Sequence, residues 1–222
     1  MVYRANKEPV SREEIEELNG IVLRVGYKLP ELHDPDFLQQ LSRRGGANKR
    51  AADVPDPKAV AELKDRLIAL QPVEAVKRGF AFERLLSELF DLHGLAPRGS
   101  FRITGEQIDG SFMLDREIYL LEARWRNEPA ANSDLLTFSG KVAGKAVWAR
   151  GLFVSYAGFS QDGLIGFGQG RRTNIIGLDG LDLYHVFSGS LGLGEVLRRK
   201  MRRAAETNRV HVPVRDLFAQ DT

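Results

Sequence analysis

The sequence contains no cysteine among its 222 residues. This absence excludes disulfides, thiolate zinc sites and cysteine nucleophiles, and it suits a reducing compartment. The chain also lacks an apolar run long enough to cross a bilayer, and its first residues carry no apolar signal-peptide core. We therefore expect a cytoplasmic protein that makes no membrane contact.

The chain also has no marked excess of positive or negative charge. Lysine and arginine number 32 and aspartate and glutamate 30, which gives a net charge of +2. The charge of the whole chain therefore does not indicate a nucleic-acid binder, and evidence for one has to be local. Apolar residues make up 43% of the chain, as in ordinary globular proteins.

Two regions differ in composition. Residues 1–56 are predicted to form an N-terminal helical region and linker, because Ser11 and Glu14 make a capping-box pattern and residues 42–57 are rich in glycine, proline and charge. Residues 57–222 alternate between helical and strand patterns. That alternation predicts an α/β domain with a mixed sheet.

The second region divides into short elements. Strand patterns cover residues 100–104, 107–114, 118–125, 151–156 and 174–180, and 209–214 is a candidate edge strand. Helical patterns begin at Pro57 and Val73, continue over 135–150 up to Gly151, and recur over 181–189 and 194–207.

Two acidic residues are predicted to face each other across a hairpin. If the hairpin turns at Asp115–Arg116, the antiparallel register places Asp109 opposite Glu122. Side chains opposed in this way lie about 4.5–5.5 Å apart at Cβ, and Arg124 shares the face of Glu122. A buried pair of carboxylates is costly unless a cation lies between them. Oxygen ligands of this kind favour Mg²⁺ or Mn²⁺.

A third carboxylate precedes the hairpin. Glu83 stands among Phe82, Leu86 and Phe90 on the helix that begins near Val73. It is expected either to pair with an arginine such as Arg84 or Arg124, or to reach the metal if that helix docks on the hairpin.

These segments resemble a known superfamily. GFAFERLLSELF, GEQIDGSFMLDREIYLLEARW and LLTFSGKVAGK are similar to the PD-(D/E)xK nucleases, particularly Mrr-like restriction endonuclease domains, from about Val73 onward. The resemblance implies a restriction-endonuclease-like αβββαβ core and a Mg²⁺-dependent endodeoxyribonuclease of the restriction or defence type. It also implies that Asp109 and Glu122 are metal ligands, with Glu83 as a third.

One residue departs from the family pattern. Arg124 stands where the family has lysine, and arginine does not act readily as a base because its pKa is above about 12. Three alternatives follow. Arg124 serves as an electrostatic clamp, Lys141 or Lys145 supplies the ammonium group, or the site is degenerate and binds nucleic acid without cleaving it.

Basic residues outside this cluster suggest a nucleic-acid surface. The phosphate-contacting set is predicted to comprise Arg198, Arg199, Lys200, Arg202 and Arg203, together with Lys141 and Lys145. Arg171 and Arg172 follow a glycine-rich stretch, for which an ordinary loop is the preferred interpretation. DNA is the expected partner, RNA is the alternative, and a homodimer is compatible with the sequence.

Overall fold

The computed structural model describes residues 55–103, 105–189 and 191–218. The predicted capping box at Ser11 and nearly all of the predicted linker lie outside these residues. The described helices are α1 (Pro57–Ala69), α2 (Ala75–Leu92), α3 (Asn132–Ala143), α4 (Gln161–Gly168), α5 (Gly180–Phe187), α6 (Leu193–Thr207) and α7 (Val214–Phe218). The described strands are β1 (Phe101–Ile103), β2 (Glu106–Ile108), β3 (Gly110–Leu114), β4 (Glu117–Arg124), β5 (Arg150–Ser155) and β6 (Ile175–Asp179).

The central sheet has four strands in the order β3-β4-β5-β6. The β3–β4 pair is antiparallel, whereas β5 pairs in parallel with both β4 and β6. The strands β1 and β2 form a separate antiparallel ribbon. An α/β fold with a mixed sheet is therefore confirmed.

The hairpin register agrees with the sequence prediction. Gly110 lies opposite Leu121, and Leu114 lies opposite Glu117. The turn residues Asp115 and Arg116 have φ values of 50° and 72°, so two residues other than glycine adopt the left-handed conformation that a tight hairpin turn requires.

The strand predicted over 107–114 is interrupted, which corrects one expectation. It divides at Asp109 into β2, which pairs with β1, and β3, which pairs with β4. Asp109 lies one step beyond the β3–β4 ladder. Its Oδ2 accepts a hydrogen bond from the Ala123 amide at 3.0 Å. At this position of β4 a side-chain carboxylate therefore accepts the hydrogen bond, in place of a backbone carbonyl of a neighbouring strand.

Two further expectations were wrong. The helix predicted to reach Gly151 ends at Ala143, and Gly151 belongs to β5, where a Cβ would come within 2.7 Å of Ile175 and Phe138. Residues 209–214 form no strand. Only one backbone hydrogen bond, from Gly177 to the Val210 carbonyl, joins this segment to β6, and Pro213 cannot donate.

Helices cover both faces of the sheet. Leu152 and Val154 of β5 pack in a core with α1, α2, α5 and α6, whereas Phe153 packs in a second core with α3 and α4. The alternation of side chains along a strand accounts for this division. Among the described residues, no helix has the length and apolar character needed to cross a membrane.

Candidate metal and phosphate site

Three acidic side chains come together near the carboxyl end of β4. Glu83 of α2 and Asp109 share the lining of a cavity of about 190 Å³, and Glu122 acts electrostatically on both. Asp109 thus lies within electrostatic reach of Glu122, although outside the β3–β4 ladder in which the two were predicted to be opposed, and the docking of α2 adds Glu83.

Glu122 is held by two basic side chains. It is only 6% exposed. Its Oε1 lies 3.1 Å from Nη2 of Arg124, and its Oε2 lies 2.8 Å from Nζ of Lys141. Lys141 also donates to the backbone carbonyl of Gln107 at 3.0 Å. An ammonium group has three protons, so one proton of Lys141 is left for a ligand.

Arg124 bridges two carboxylates. Besides Glu122, its guanidinium binds Asp134, and it lies 5.3 Å from the centre of the Phe153 ring. Asp134 is itself fixed in the first turn of α3, where Oδ2 accepts from the Ala131 amide at 2.9 Å. Sequence patterns did not indicate that Asp134 anchors Arg124.

Burial and mutual repulsion act on the remaining acids. Burial, reinforced by the charges of Asp109 and Glu122, raises the pKa of Glu83 to about 7. Burial also raises the pKa of Asp109. The Ala123 amide opposes that rise, Glu122 adds to it, and Lys141 and Arg124 reduce it.

The acids outnumber the cations that neutralise them. Arg124 and Lys141 bind Glu122, and Arg124 and Arg126 share Asp134, whereas no basic side chain among the described residues forms an ion pair with Glu83 or Asp109. Carboxylate oxygens in such a half-buried setting fit a Mg²⁺ or Mn²⁺ ion. The oxygens of the three acids are not all within 4.8 Å of one another in this structure.

A second acidic cluster satisfies that distance criterion. Asp179, Asp182 and His211 offer ligand atoms within 4.8 Å of one another. Asp182 accepts from the Val214 amide at 2.8 Å and lies 2.6 Å from Nζ of Lys200. Burial raises the pKa of Asp182, but the His211 hydrogen bond and the Lys200 charge outweigh burial and lower it. Lys200 already supplies the cation here, and we interpret this cluster as a structural network.

The basic helix α6 differs from the expectation. Lys200 is 2% exposed and bound to Asp182, so its ammonium group cannot contact a phosphate and it leaves the predicted set. The arginines of the helix face outward in ion pairs: Arg198 with Asp115, Arg199 with Glu195, and Arg202 and Arg203 with Glu206.

The two lysines of the α3 region, which were predicted to supply an ammonium group or to contact phosphate, have different partners. Lys141 contacts Glu122 inside the candidate site. Lys145 lies beyond the end of α3 and binds Glu106 at 2.5 Å. The structure thus brings one of the two alternative lysines to the acidic cluster and directs the other to β2.

Two arginines outside the predicted nucleic-acid-binding set line the cavity of Glu83 and Asp109. They are Arg84 of α2 and Arg98, and both are exposed. Arg98 is held through its backbone, which exchanges hydrogen bonds with Ser111, and its guanidinium has no ion-pair partner among the described residues. No motif marks either residue, because their proximity arises from the packing of α2 against the hairpin.

Comparisons with known proteins give one resemblance. No family model matches the chain, and no curated protein shows significant similarity to it. A solved structure that resembles it is the MspJI restriction endonuclease in complex with a 27-mer oligonucleotide, with 16% identity and a TM-score of 0.38. The match covers 72% of this chain and 39% of that protein, so this chain corresponds to well under half of its length. The chemistry of the site therefore carries the functional conclusion.

Proposed function

We propose that the chain is a divalent-metal-dependent nuclease that hydrolyses phosphodiester bonds in DNA. The observation that carries this proposal is the meeting of Glu83, Asp109 and Glu122 with Lys141 and Arg124 at the end of β4. Metal-assisted phosphoryl chemistry requires carboxylates that are free to bind a metal ion. It also uses fixed positive charges that stabilise the negative charge on the phosphate.

The metal ligands in this proposal are Asp109, Glu122 and Glu83. A bound Mg²⁺ or Mn²⁺ supplies charge neutralisation at the phosphate and activates the attacking water. Glu83 must lose its proton before it can bind the cation, and its raised pKa places that step near neutral pH.

Lys141 takes the place of the lysine that Arg124 replaces. Its Nζ contacts Glu122 directly, so the ammonium group lies beside a proposed metal ligand. Arg124 keeps its charge at every accessible pH and serves as a clamp that holds Glu122 and Asp134. In the reaction a water molecule would lose a proton and its oxygen would form a bond to phosphorus, while one ester P–O bond breaks and the leaving oxygen takes up a proton.

Arg98 and Arg84 are proposed to bind the phosphate backbone beside the acids. Both line the cavity of Asp109, and the guanidinium of Arg98 is available for a two-pronged contact with phosphate oxygens. In this arrangement DNA lies along the α2 side of the hairpin and not on helix α6.

Cleavage of plasmid and linear DNA with Mg²⁺ or Mn²⁺ tests the proposal. We expect Asp109→Asn to reduce cleavage at least a hundredfold and Lys141→Arg to reduce it at least tenfold, because the larger planar guanidinium does not reproduce the contacts of the Lys141 ammonium group with Glu122 and Gln107. Lys145→Arg is the matched control and should cleave like the parent. Full activity of Asp109→Asn would refute the assignment.

A second candidate function is nucleic-acid binding without cleavage. It is favoured by the engagement of both Glu122 oxygens by Arg124 and Lys141, which supply the charge that a metal would otherwise supply. Binding of DNA in EDTA with no cleavage at any metal concentration would support this alternative. The same assays on RNA distinguish a ribonuclease from a deoxyribonuclease.

A further inference from the structure

A larger cavity lies at the other end of the sheet. It has a volume of about 690 Å³ and is bordered by the hairpin turn, the first residues of β5 and β6, and helix α6. Glu117, at its edge, is five residues from Glu122 along β4, which corresponds to roughly 16 Å at about 3.3 Å per residue. The cavity is therefore separate from the candidate metal site.

Its lining combines an apolar wall with a basic rim. Leu114, Ile176, Met201 and Ala204 contribute apolar surface. The rim carries four arginines and two acids, which leaves an excess of positive charge. The charged lining residues are Arg150, Arg172, Arg198, Arg202, Asp115 and Glu117. Volume, apolar wall and a few charged groups together are typical of small-molecule sites.

Arg172 is presented to this cavity by a fixed loop. Asn208, which ends α6 in the left-handed conformation, accepts from the Thr173 amide at 2.9 Å and donates to the Arg171 carbonyl at 2.7 Å. The two hydrogen bonds hold the backbone on either side of Arg172. Its exposed side chain has no hydrogen-bond or ion-pair partner among the described residues.

Two other rim arginines are oriented by exposed acids. Arg150 binds Glu117, and Arg198 binds Asp115 at 2.9 Å. All four side chains are about half exposed, and ion pairs of this kind contribute little stability. A phosphate group can therefore bind these arginines alongside the two acids, or displace the acids from them, at a small cost in free energy. In return it gains two-pronged contacts with the guanidinium groups.

We propose that this cavity binds a free nucleotide. Its phosphates would contact Arg172 together with Arg150 or Arg198, and its base would lie against the apolar wall of β6 and α6. This assignment does not depend on nuclease activity, because none of the residues involved belongs to the acidic cluster at Glu122.

The test is calorimetric titration of the full chain in EDTA with AMP, ATP, inorganic phosphate and adenosine. We expect AMP or ATP to bind at least tenfold more tightly than phosphate or adenosine alone. Arg172→Ala should weaken nucleotide binding at least tenfold. Arg171→Ala is the matched control, because the Arg171 guanidinium lies against the Phe167 ring, and it should leave the affinity unchanged.

Several results would overturn the proposal. They are equal affinity for phosphate and AMP, no binding of either nucleotide, and undiminished binding by Arg172→Ala. Tighter binding of a 5′-phosphorylated oligonucleotide than of AMP would indicate a nucleic-acid end in place of a free nucleotide. Asp109→Asn should bind nucleotide normally, and loss of binding in that variant would place the ligand at the acidic cluster instead.

Discussion

Two acidic clusters in this molecule differ in how their charge is balanced. At Asp179, Asp182 and His211, the buried ammonium group of Lys200 lies 2.6 Å from Asp182. At Glu83, Asp109 and Glu122, the basic side chains bind only Glu122, and the pKa of Glu83 rises to about 7. The negative charge of the first cluster is balanced by a lysine of the chain itself, whereas the second cluster retains the capacity to bind a cation. Compactness alone favours the first cluster as a metal site, whereas the balance of charge favours the second.

The largest effect on stability is expected at Lys200. Lys200→Met should lower the free energy of unfolding by about 3–5 kcal/mol, because it leaves the carboxylate of Asp182 buried without its partner. Urea denaturation measures this loss. The control on the same helix is Arg202→Met, whose side chain is 81% exposed and which should cost less than about 1 kcal/mol. Equal losses in the two variants would mean that Lys200 contributes no more than a surface residue.

A smaller and pH-dependent effect is expected at Glu83. Its folded-state pKa of about 7 lies above the ordinary value of 4.5, so the folded protein binds this proton more tightly than the unfolded chain does. Stability is therefore lost as pH rises from about 4.5 to about 7. Glu83→Gln removes that dependence.

In metal-free buffer, Glu83→Gln should match the parent near pH 4.5 and be more stable at pH 8 by about 1 kcal/mol, a value reduced for partial exposure. Unfolding curves at the two pH values measure the difference. Glu88→Gln is a suitable comparison because Arg66 binds this exposed acid and lowers its pKa. A destabilising effect of Glu83→Gln at pH 8 would contradict the view that Glu83 is repelled by its neighbours.

The smallest effect is expected at Lys145. Lys145→Met removes a partly exposed ion pair with Glu106 and should cost no more than about 1 kcal/mol, with DNA cleavage unchanged. Lys141→Met should abolish cleavage and cost more stability than Lys145→Met, because Glu122 is buried and would keep only Arg124 as a basic partner. A comparable loss of activity in both variants would remove the distinction between the two lysines.

Local sequence patterns predicted much of the fold. The hairpin register follows from the position of the turn and the alternation of side chains, which are local properties. The interruption at Asp109 was not predicted, because Gln107–Leu114 has continuous strand character and the break depends on pairing with β1. The contact of Lys141 with Glu122 depends on the packing of α3 across β4, which no short-range pattern specifies.

The burial of Lys200 could have been recognised. Leu193, Val196, Leu197 and Ala204 are buried along α6 at helical spacing, and Lys200 falls in the same stripe. The run of neighbouring arginines suggested a phosphate-contacting face instead. Its partner Asp182 is distant in sequence, so the ion pair itself required the tertiary structure.

Binding of Mn²⁺, followed by electron paramagnetic resonance, tests the central claim most directly. The parent should bind Mn²⁺, Asp109→Asn should lose at least tenfold in affinity, and Asp179→Asn should retain the parent's affinity. The reverse pattern, with binding lost in Asp179→Asn and kept in Asp109→Asn, would place the metal in the cluster that Lys200 neutralises and would contradict the account.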